Sequence, residues 1–173
     1  HVEAGLRTGD KYSPFPEEVN RKLVGTLADI HFAPTEGARN NLLADGIPGE
    51  RIHVTGNTVV DALLWAENRL ANTPPGDPFL EEQLAAVPSA VRDATDDKLI
   101  LVTGHRRESF GPDFEAICTA LLQIVERNED VQLAYPVHLN PNVREPVYRI
   151  LDGVERIHLF EPPPYFGFVW LLS

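Results

Sequence analysis

The sequence predicts an α/β fold made of two Rossmann-like pieces, each a parallel sheet flanked by helices. Three observations predict it. Short β-branched runs alternate with amphipathic helical patterns along most of the chain; one run, LILVT, is almost wholly apolar; and the alternation breaks once, in a turn-rich stretch at 71–98. Strand alternating with helix implies βαβ crossovers and so parallel strands. The break divides the chain into 1–70, the later part of a first domain, a linker at 71–98, and 99–173, the earlier part of a second. Two such pieces joined by a linker imply a ligand cleft between them.

The opening, HVEAGLRTGDKYSPFPEEVNR, reads as a strand's end followed by Gly and Pro turns. Glu17 and Glu18 then stand directly after Pro16, at the head of the apolar pattern Val19, Leu23, Leu27. RIHVT (51–55) alternates as a strand does, and TVVDALLWAENRL carries a helical stripe of Val59, Val60, Leu63, Leu64 and Leu70. In the break, ANTPPGDP is turn-rich, 79–87 reads as a short helix, and VPSAVRDATDDK is polar with scattered Ala and Val.

LILVT (99–103) reads as a strand buried on both faces. DFEAICTALLQIVERN follows as a helix with Phe114, Ile117, Leu121, Ile124 and Val125 on one stripe and Asp113 as its N-cap. VQLAY (131–135) is the next strand, then a helix at 142–151 in which Pro146 predicts a kink or a late start. RIHLF (156–160) closes the series. The sequence has no methionine, and its final apolar run, YFGFVWLLS, has neither helix cap nor polar tail. The chain is read as an internal piece of a longer protein.

With 43% hydrophobic and 24% charged residues, the composition is that of a soluble globular protein. A net charge of −11 argues against nucleic acid or an anionic membrane as partner, but leaves room for a small anion held by a few local cations. The single cysteine, Cys118, reads as a buried structural thiol. A secretory signal and a membrane-length apolar run are both missing, so the expected location is cytoplasmic.

TGHRRESFGP (103–112) lies between a predicted strand and the helix after it, which is where open parallel sheets bind ligands. His105, Arg106 and Arg107 there sit beside a helix start, which itself attracts anions, and arginine grips phosphate bidentately. The stretch reads as a phosphate or pyrophosphate site, or else as a solvated basic turn with Glu108 as partner. Neither the Walker nor the dinucleotide glycine spacing occurs, so no NAD and no P-loop ATPase is expected. His138, in the loop after VQLAY, falls at the equivalent strand end. Neither His105 nor His138 has a helical metal-ligand partner, so no metal is expected. His31, His53 and His158 lie in strand-like runs and read as satisfied structural histidines. Glu17 and Glu18, in a first helical turn, read on spacing alone as dipole compensation ahead of catalytic groups.

Together, HVEAGLRTGDKYSPFPEEVNR, TGNTVVDALLWA, LVTGHRRESFG and YPVHLNPNVREPV resemble the non-hydrolysing UDP-N-acetylglucosamine 2-epimerases of bacteria. The resemblance runs in order along nearly the whole chain and is weakest in the linker. It implies two Rossmann-like domains in the arrangement called GT-B, both incomplete here, with a nucleotide sugar between them. It further implies interconversion of UDP-GlcNAc and UDP-ManNAc without NAD or metal, for cell-surface polysaccharide, in a homodimer. The implied route eliminates UDP to 2-acetamidoglucal and then adds it back, with protonation on the opposite face of C2.

Residue by residue, Glu3 matches the glutamate of HVEAGLRT and Glu17 the first glutamate of SPxPEE, both implicated in acid/base chemistry. Arg21 matches an active-site arginine, and His105 a histidine tied to UDP binding and departure; Arg106, Arg107 and His138 are further substrate-binding candidates. In some members these loops also hold a second UDP-GlcNAc as allosteric activator. An upstream aspartate and a downstream uridine-binding segment of the family have no counterpart here, so the 173-residue chain is expected to be nearly inactive by itself. The alternatives are a hydrolysing 2-epimerase, a GT-B glycosyltransferase and a non-catalytic nucleotide-sugar binding protein.

Overall fold

A computed structural model of the chain describes residues 1–94, 98–104 and 111–173. It divides into two compact units, His1–Trp65 and Ala66–Ser173. In the first, β1 (His31–Ala33) pairs in parallel with β2 (Ile52–Val54), and Val2 forms an isolated parallel bridge to Phe32 on β1's other side. Around them stand α1 (Glu17–Leu27), α2 (Glu36–Ala44) and α3 (Thr58–Ala71), the last running into the second unit. Thr35 caps α2 by accepting from the Ala38 amide at 3.1 Å, satisfying an N–H that the helix start leaves free.

The core of the first unit is small-residue packing: Ala4, Ala33, Ala38, Leu42 and Ile52. Gly5 makes that closeness possible. Its φ is +88°, and a Cβ there would lie 2.1 Å from the Ala38 carbonyl oxygen. Only a residue without a side chain lets this turn rest on α2.

The second unit holds a three-stranded parallel sheet, β3 (Lys98–Leu101), β4 (Val131–Pro136) and β5 (Ile157–Phe160), with β4 in the middle. On one face, α6 (Pro112–Arg127) and α7 (Pro141–Leu151) pack Phe114, Cys118, Val125, Val143, Val147 and Leu151 against Leu133 and Tyr135. On the other, Ala134 and Phe160 meet Leu84, Val87 and Val91 from the segment carrying α4 (Pro78–Leu84) and α5 (Ser89–Arg92). The last helix, α8 (Tyr165–Leu172), adds Trp170 and Leu171 to this layer. Thus both faces of β4 are covered, as a central parallel strand requires.

Several sequence expectations change in detail. Asp113 lies inside the first turn of α6: Gly111, at φ +94°, is the N-cap residue and Pro112 is at N1, so the fixed φ of proline starts the helix two residues earlier than a cap at Asp113 would. The helix through Pro146 runs Pro141–Leu151, near the expected bounds, and does not start late: Asn140 caps it by accepting from the Asn142 amide, 3.0 Å away. β3 was expected to be buried on both faces, yet Leu99 and Ile100 are 36% and 37% exposed; it is an edge strand of the sheet. The stripe of α3 is likewise exposed at Val59, Val60 and Leu64. The terminal apolar run does not hang free. It is α8, and Gly167 brings it so near α4 that a Cβ would sit 2.2 Å from the Gln83 carbonyl oxygen.

Candidate functional site

In parallel sheets, function gathers at the carboxyl ends of strands, and Glu3 stands at such an end. Val2 bridges Phe32, the Phe32 amide donates to the His1 carbonyl at 2.8 Å, and the Ala4 amide donates to the Phe32 carbonyl at 2.9 Å. These bonds clamp the chain on either side of Glu3 while its own side chain stays exposed. Its φ is +56°, in the left-handed region that non-glycine residues seldom enter. Such a conformation costs about 1–3 kcal/mol and persists where the surroundings impose it, commonly at functional positions.

Asn57, just past the carboxyl end of β2, brings its Nδ2 to 3.5 Å from Glu3 Oε1, a long contact. Its Oδ1 accepts from the Val59 amide at 3.0 Å, at the head of α3. Sequence reasoning passed over Asn57. The rule that singled out the loop after LILVT, a polar residue between a strand's end and a helix start, would have found it in TGNTVV.

The adjacent glutamates of α1 separate completely. Glu17 is exposed, whereas Glu18 is fully buried. Glu18 Oε2 accepts from the Thr8 amide at 3.3 Å and Oε1 from the Gly9 amide at 3.4 Å. Arg21 Nη1 lies 3.8 Å from Glu18 Oε2, one turn along the helix. The loop it holds is further ordered by Asp10, whose Oδ1 accepts from the Tyr12 amide at 2.9 Å; the peptide bonds before Pro14 and Pro16 are cis. Glu18 went unremarked in the sequence as a separate group, since nothing in EE distinguishes one carboxylate from the other.

In the second unit, His138 follows β4 and is exposed; its Nδ1 accepts from the Asn140 amide at 3.1 Å. Tyr135, buried in β4, donates from its hydroxyl to the Gly104 carbonyl at 3.0 Å. Burial, and then the charge of a neighbouring Cys118 thiolate, push the Tyr135 phenol up to about 12. The Cys118 thiol is buried and raised as well, by burial first and the Glu115 carboxylate second, which makes it a poor nucleophile. His105, Arg106 and Arg107 lie outside the described residues.

His53 and His158 sit in β2 and β5, and His158 Nε2 meets Gln132 Oε1 at 2.7 Å. His31, in β1, departs from expectation. It is fully buried, and both its ring nitrogens are without hydrogen-bond partners among the described residues. Burial lowers its pKa. A hollow of about 190 Å³ in the first unit is lined by Arg7, Lys22, Gly25, Thr26, Asp45 and Ile47, and none of the expected site residues. Arg7 and Asp45 there pair at 2.7 Å. Among the described residues, no cluster of three or more His, Cys, Asp or Glu could hold a metal, and no helix is long and apolar enough to cross a membrane.

Glu3 thus stands left-handed and exposed at a strand's end in a parallel α/β unit, where such folds hold ligands. The chain belongs to the UDP-N-acetylglucosamine 2-epimerase family, whose model matches residues 1–173. It is 56% identical to the UDP-N-acetylglucosamine 2-epimerase of Yersinia pestis over all of this chain and 44% of that protein. Among solved structures, it is similar to the Neisseria meningitidis UDP-GlcNAc 2-epimerase bound to UDP-GlcNAc, with a TM-score of 0.85, 41% identity, and coverage of 99% of this chain and 44% of that one. Staphylococcus aureus MnaA in complex with UDP is similar too, with a TM-score of 0.79 and 43% identity over 97% of this chain and 41% of that one. The chain therefore spans under half the length of these relatives.

Proposed function

We propose that the full-length protein interconverts UDP-GlcNAc and UDP-ManNAc. A carboxylate takes the proton from C2, the electrons of that C–H bond form the C1=C2 double bond of 2-acetamidoglucal, and the C1–O bond breaks to release UDP. UDP then adds back through a phosphate oxygen at C1, while C2 is protonated on its other face. The step is redox-neutral, so it calls for acid/base groups and phosphate cations and for neither NAD nor metal.

Glu3 and Glu17 are assigned the acid/base roles, with Arg21, Arg106, Arg107 and His138 on the substrate and His105 on the departing diphosphate. Glu3's left-handed backbone carries the reading: an exposed carboxylate held at φ +56° at a strand end is backbone strain retained for a purpose. The ligands named for the Neisseria and Staphylococcus relatives, UDP-GlcNAc and UDP, support the same substrate class. Residues 1–70 are assigned to the later part of a first Rossmann-like domain of the full-length protein and 99–173 to the earlier part of a second, with a linker at 71–98, in a GT-B arrangement. A cytoplasmic homodimer that binds no nucleic acid, with UDP-GlcNAc also serving as activator, completes the proposal.

The test is full-length protein with UDP-GlcNAc in D₂O, followed at C2 by NMR. Deuterium at C2 with UDP-ManNAc appearing is expected. Deuterated free ManNAc with UDP would identify the hydrolysing reaction instead, and no exchange with UDP-GlcNAc present in excess would reject epimerisation. Glu17→Gln should abolish turnover and spare UDP binding; near-normal turnover would remove Glu17 from the mechanism.

A further inference from the structure

Glu18 has no assigned part in the reaction, yet its carboxyl group is buried without a trace of exposure. Burying a carboxylate is costly unless its oxygens are satisfied. Here the satisfying groups come from both sides of the candidate site: Thr8 and Gly9 amides from the loop that leaves Glu3, and Arg21 from the helix that begins with Glu17. Each oxygen takes one loop amide, so the carboxylate spans the loop rather than touching it at a point.

Glu17 and Arg21 are four residues apart, a spacing at which helical neighbours commonly pair. Arg21 nevertheless lies 3.8 Å from Glu18. That leaves Glu17 exposed at the head of α1, without a salt bridge to Arg21.

We propose that Glu18 is a positioning residue: its buried carboxylate clasps the Thr8–Gly9 amides and Arg21, and so fixes the two acid/base carboxylates, Glu3 and Glu17, relative to one another. This rests on the reading of Glu3 and Glu17 given above. Glu18 touches no substrate in this account. It acts through the geometry of its neighbours, and proton transfer is sensitive to displacements of an ångström or less.

The test uses the full-length protein, with epimerisation by the unaltered enzyme established first; its absence would reject the functional reading and not this inference. In Glu18→Gln, one oxygen becomes an N–H₂ that faces a loop amide donor in either orientation of the side chain, so the clasp opens. The expected result is a fall of about 10- to 100-fold in kcat and in deuterium uptake at C2, with KM and UDP affinity within about threefold. Glu18→Asp keeps the charge but withdraws it by one methylene, and should recover part of the lost kcat. A kcat within twofold of the unaltered enzyme in Glu18→Gln, whatever its melting temperature, would overturn the proposal, as would a rise in KM with kcat retained. Should Glu18→Gln fail to fold, Glu18→Asp decides alone: a folded protein with kcat reduced at least fivefold supports positioning, and unchanged kcat overturns it.

Discussion

The Tyr135 hydroxyl donates to the carbonyl oxygen of Gly104 at 3.0 Å, tying the chain just beyond the edge strand β3 to the middle strand β4. Gly104 directly precedes His105 in the sequence. A phenol with its pKa near 12 stays a donor throughout the physiological range.

Tyr135→Phe keeps the ring and removes the donor. The expected loss is about 1 kcal/mol of stability by denaturant titration, since a single neutral hydrogen bond contributes about that much. UDP affinity of the full-length protein should fall severalfold by calorimetry. The alkaline limb offers a second readout. The folded pKa, about 12, lies above the ordinary value of 10.0, so the tyrosine's contribution is complete below pH 10 and is lost as pH rises through 12. In Tyr135→Phe, stability should change less between pH 10 and 12.

A second prediction concerns Gly5, whose φ of +88° and missing Cβ both matter. Gly5→Ala should cost more than about 2 kcal/mol, combining backbone strain with a clash against the Ala38 carbonyl that no side-chain rotation relieves. Gly46 is the control. Its φ is +85°, but a Cβ there meets nothing within 4 Å, so Gly46→Ala should cost only about 1 kcal/mol. Equal shifts in denaturation midpoint would show that conformation alone, and not the contact with α2, demands glycine at position 5.

Much of this architecture was legible because strand and helix periodicities differ and each run was long enough to show its own. β2, β4, β5, α3 and α6 appear where the patterns put them. What a pattern cannot state is which neighbour covers a face. Val59, Val60, Leu63 and Leu64 form a recognisable stripe, yet Val59 is 61% exposed, and α1's Leu27 is 82% exposed. The candidate site divides the same way. Motif spacing marked the glutamate pair, but helix phase and the 8–9 loop decided that Glu18 is buried and Glu17 is not. Asp113 as a cap failed because Pro112 outranks it as a helix starter.

His31 supplies a third prediction. Burial lowers its pKa from 6.5, so the folded state favours the neutral ring. A depressed folded pKa means the unfolded chain binds the proton more readily, and the contribution is complete above pH 6.5 and lost as pH falls below it. Burial lowers His158 in the same sense. Stability should therefore decline on acidification from pH 6.5, ahead of carboxylate titration. In His31→Leu the decline should be shallower, and because no unpartnered ring nitrogens remain buried, stability at pH 7 should hold or rise by about 1 kcal/mol. Urea titrations at pH 7 and pH 5.5 measure both effects; an unchanged slope between them would remove His31 from the acid response.

Arg156 is the last, and nothing in RIHLF announced it. Its guanidinium donates to the carbonyls of Val125 at 2.9 Å, Asn128 at 2.7 Å and Val131 at 2.9 Å, closing the C-terminal end of α6 and the start of β4. The Val125 carbonyl lies in the last turn of α6, where a helix leaves its carbonyls without partners, and a cation there also meets the negative end of the helix dipole. The residue holds φ at +67° to make that reach. Arg156→Ala keeps the unfavourable backbone and forfeits all three bonds, so a loss of about 2–4 kcal/mol is expected. Arg156→Gly forfeits the same bonds but accepts a positive φ without strain, and should be less destabilised than Arg156→Ala by about 0.5–1 kcal/mol. Denaturant titrations of the two variants separate side chain from backbone: equal losses would mean the left-handed conformation carries no strain, and a negligible loss in both would mean the three carbonyls are as well satisfied by water.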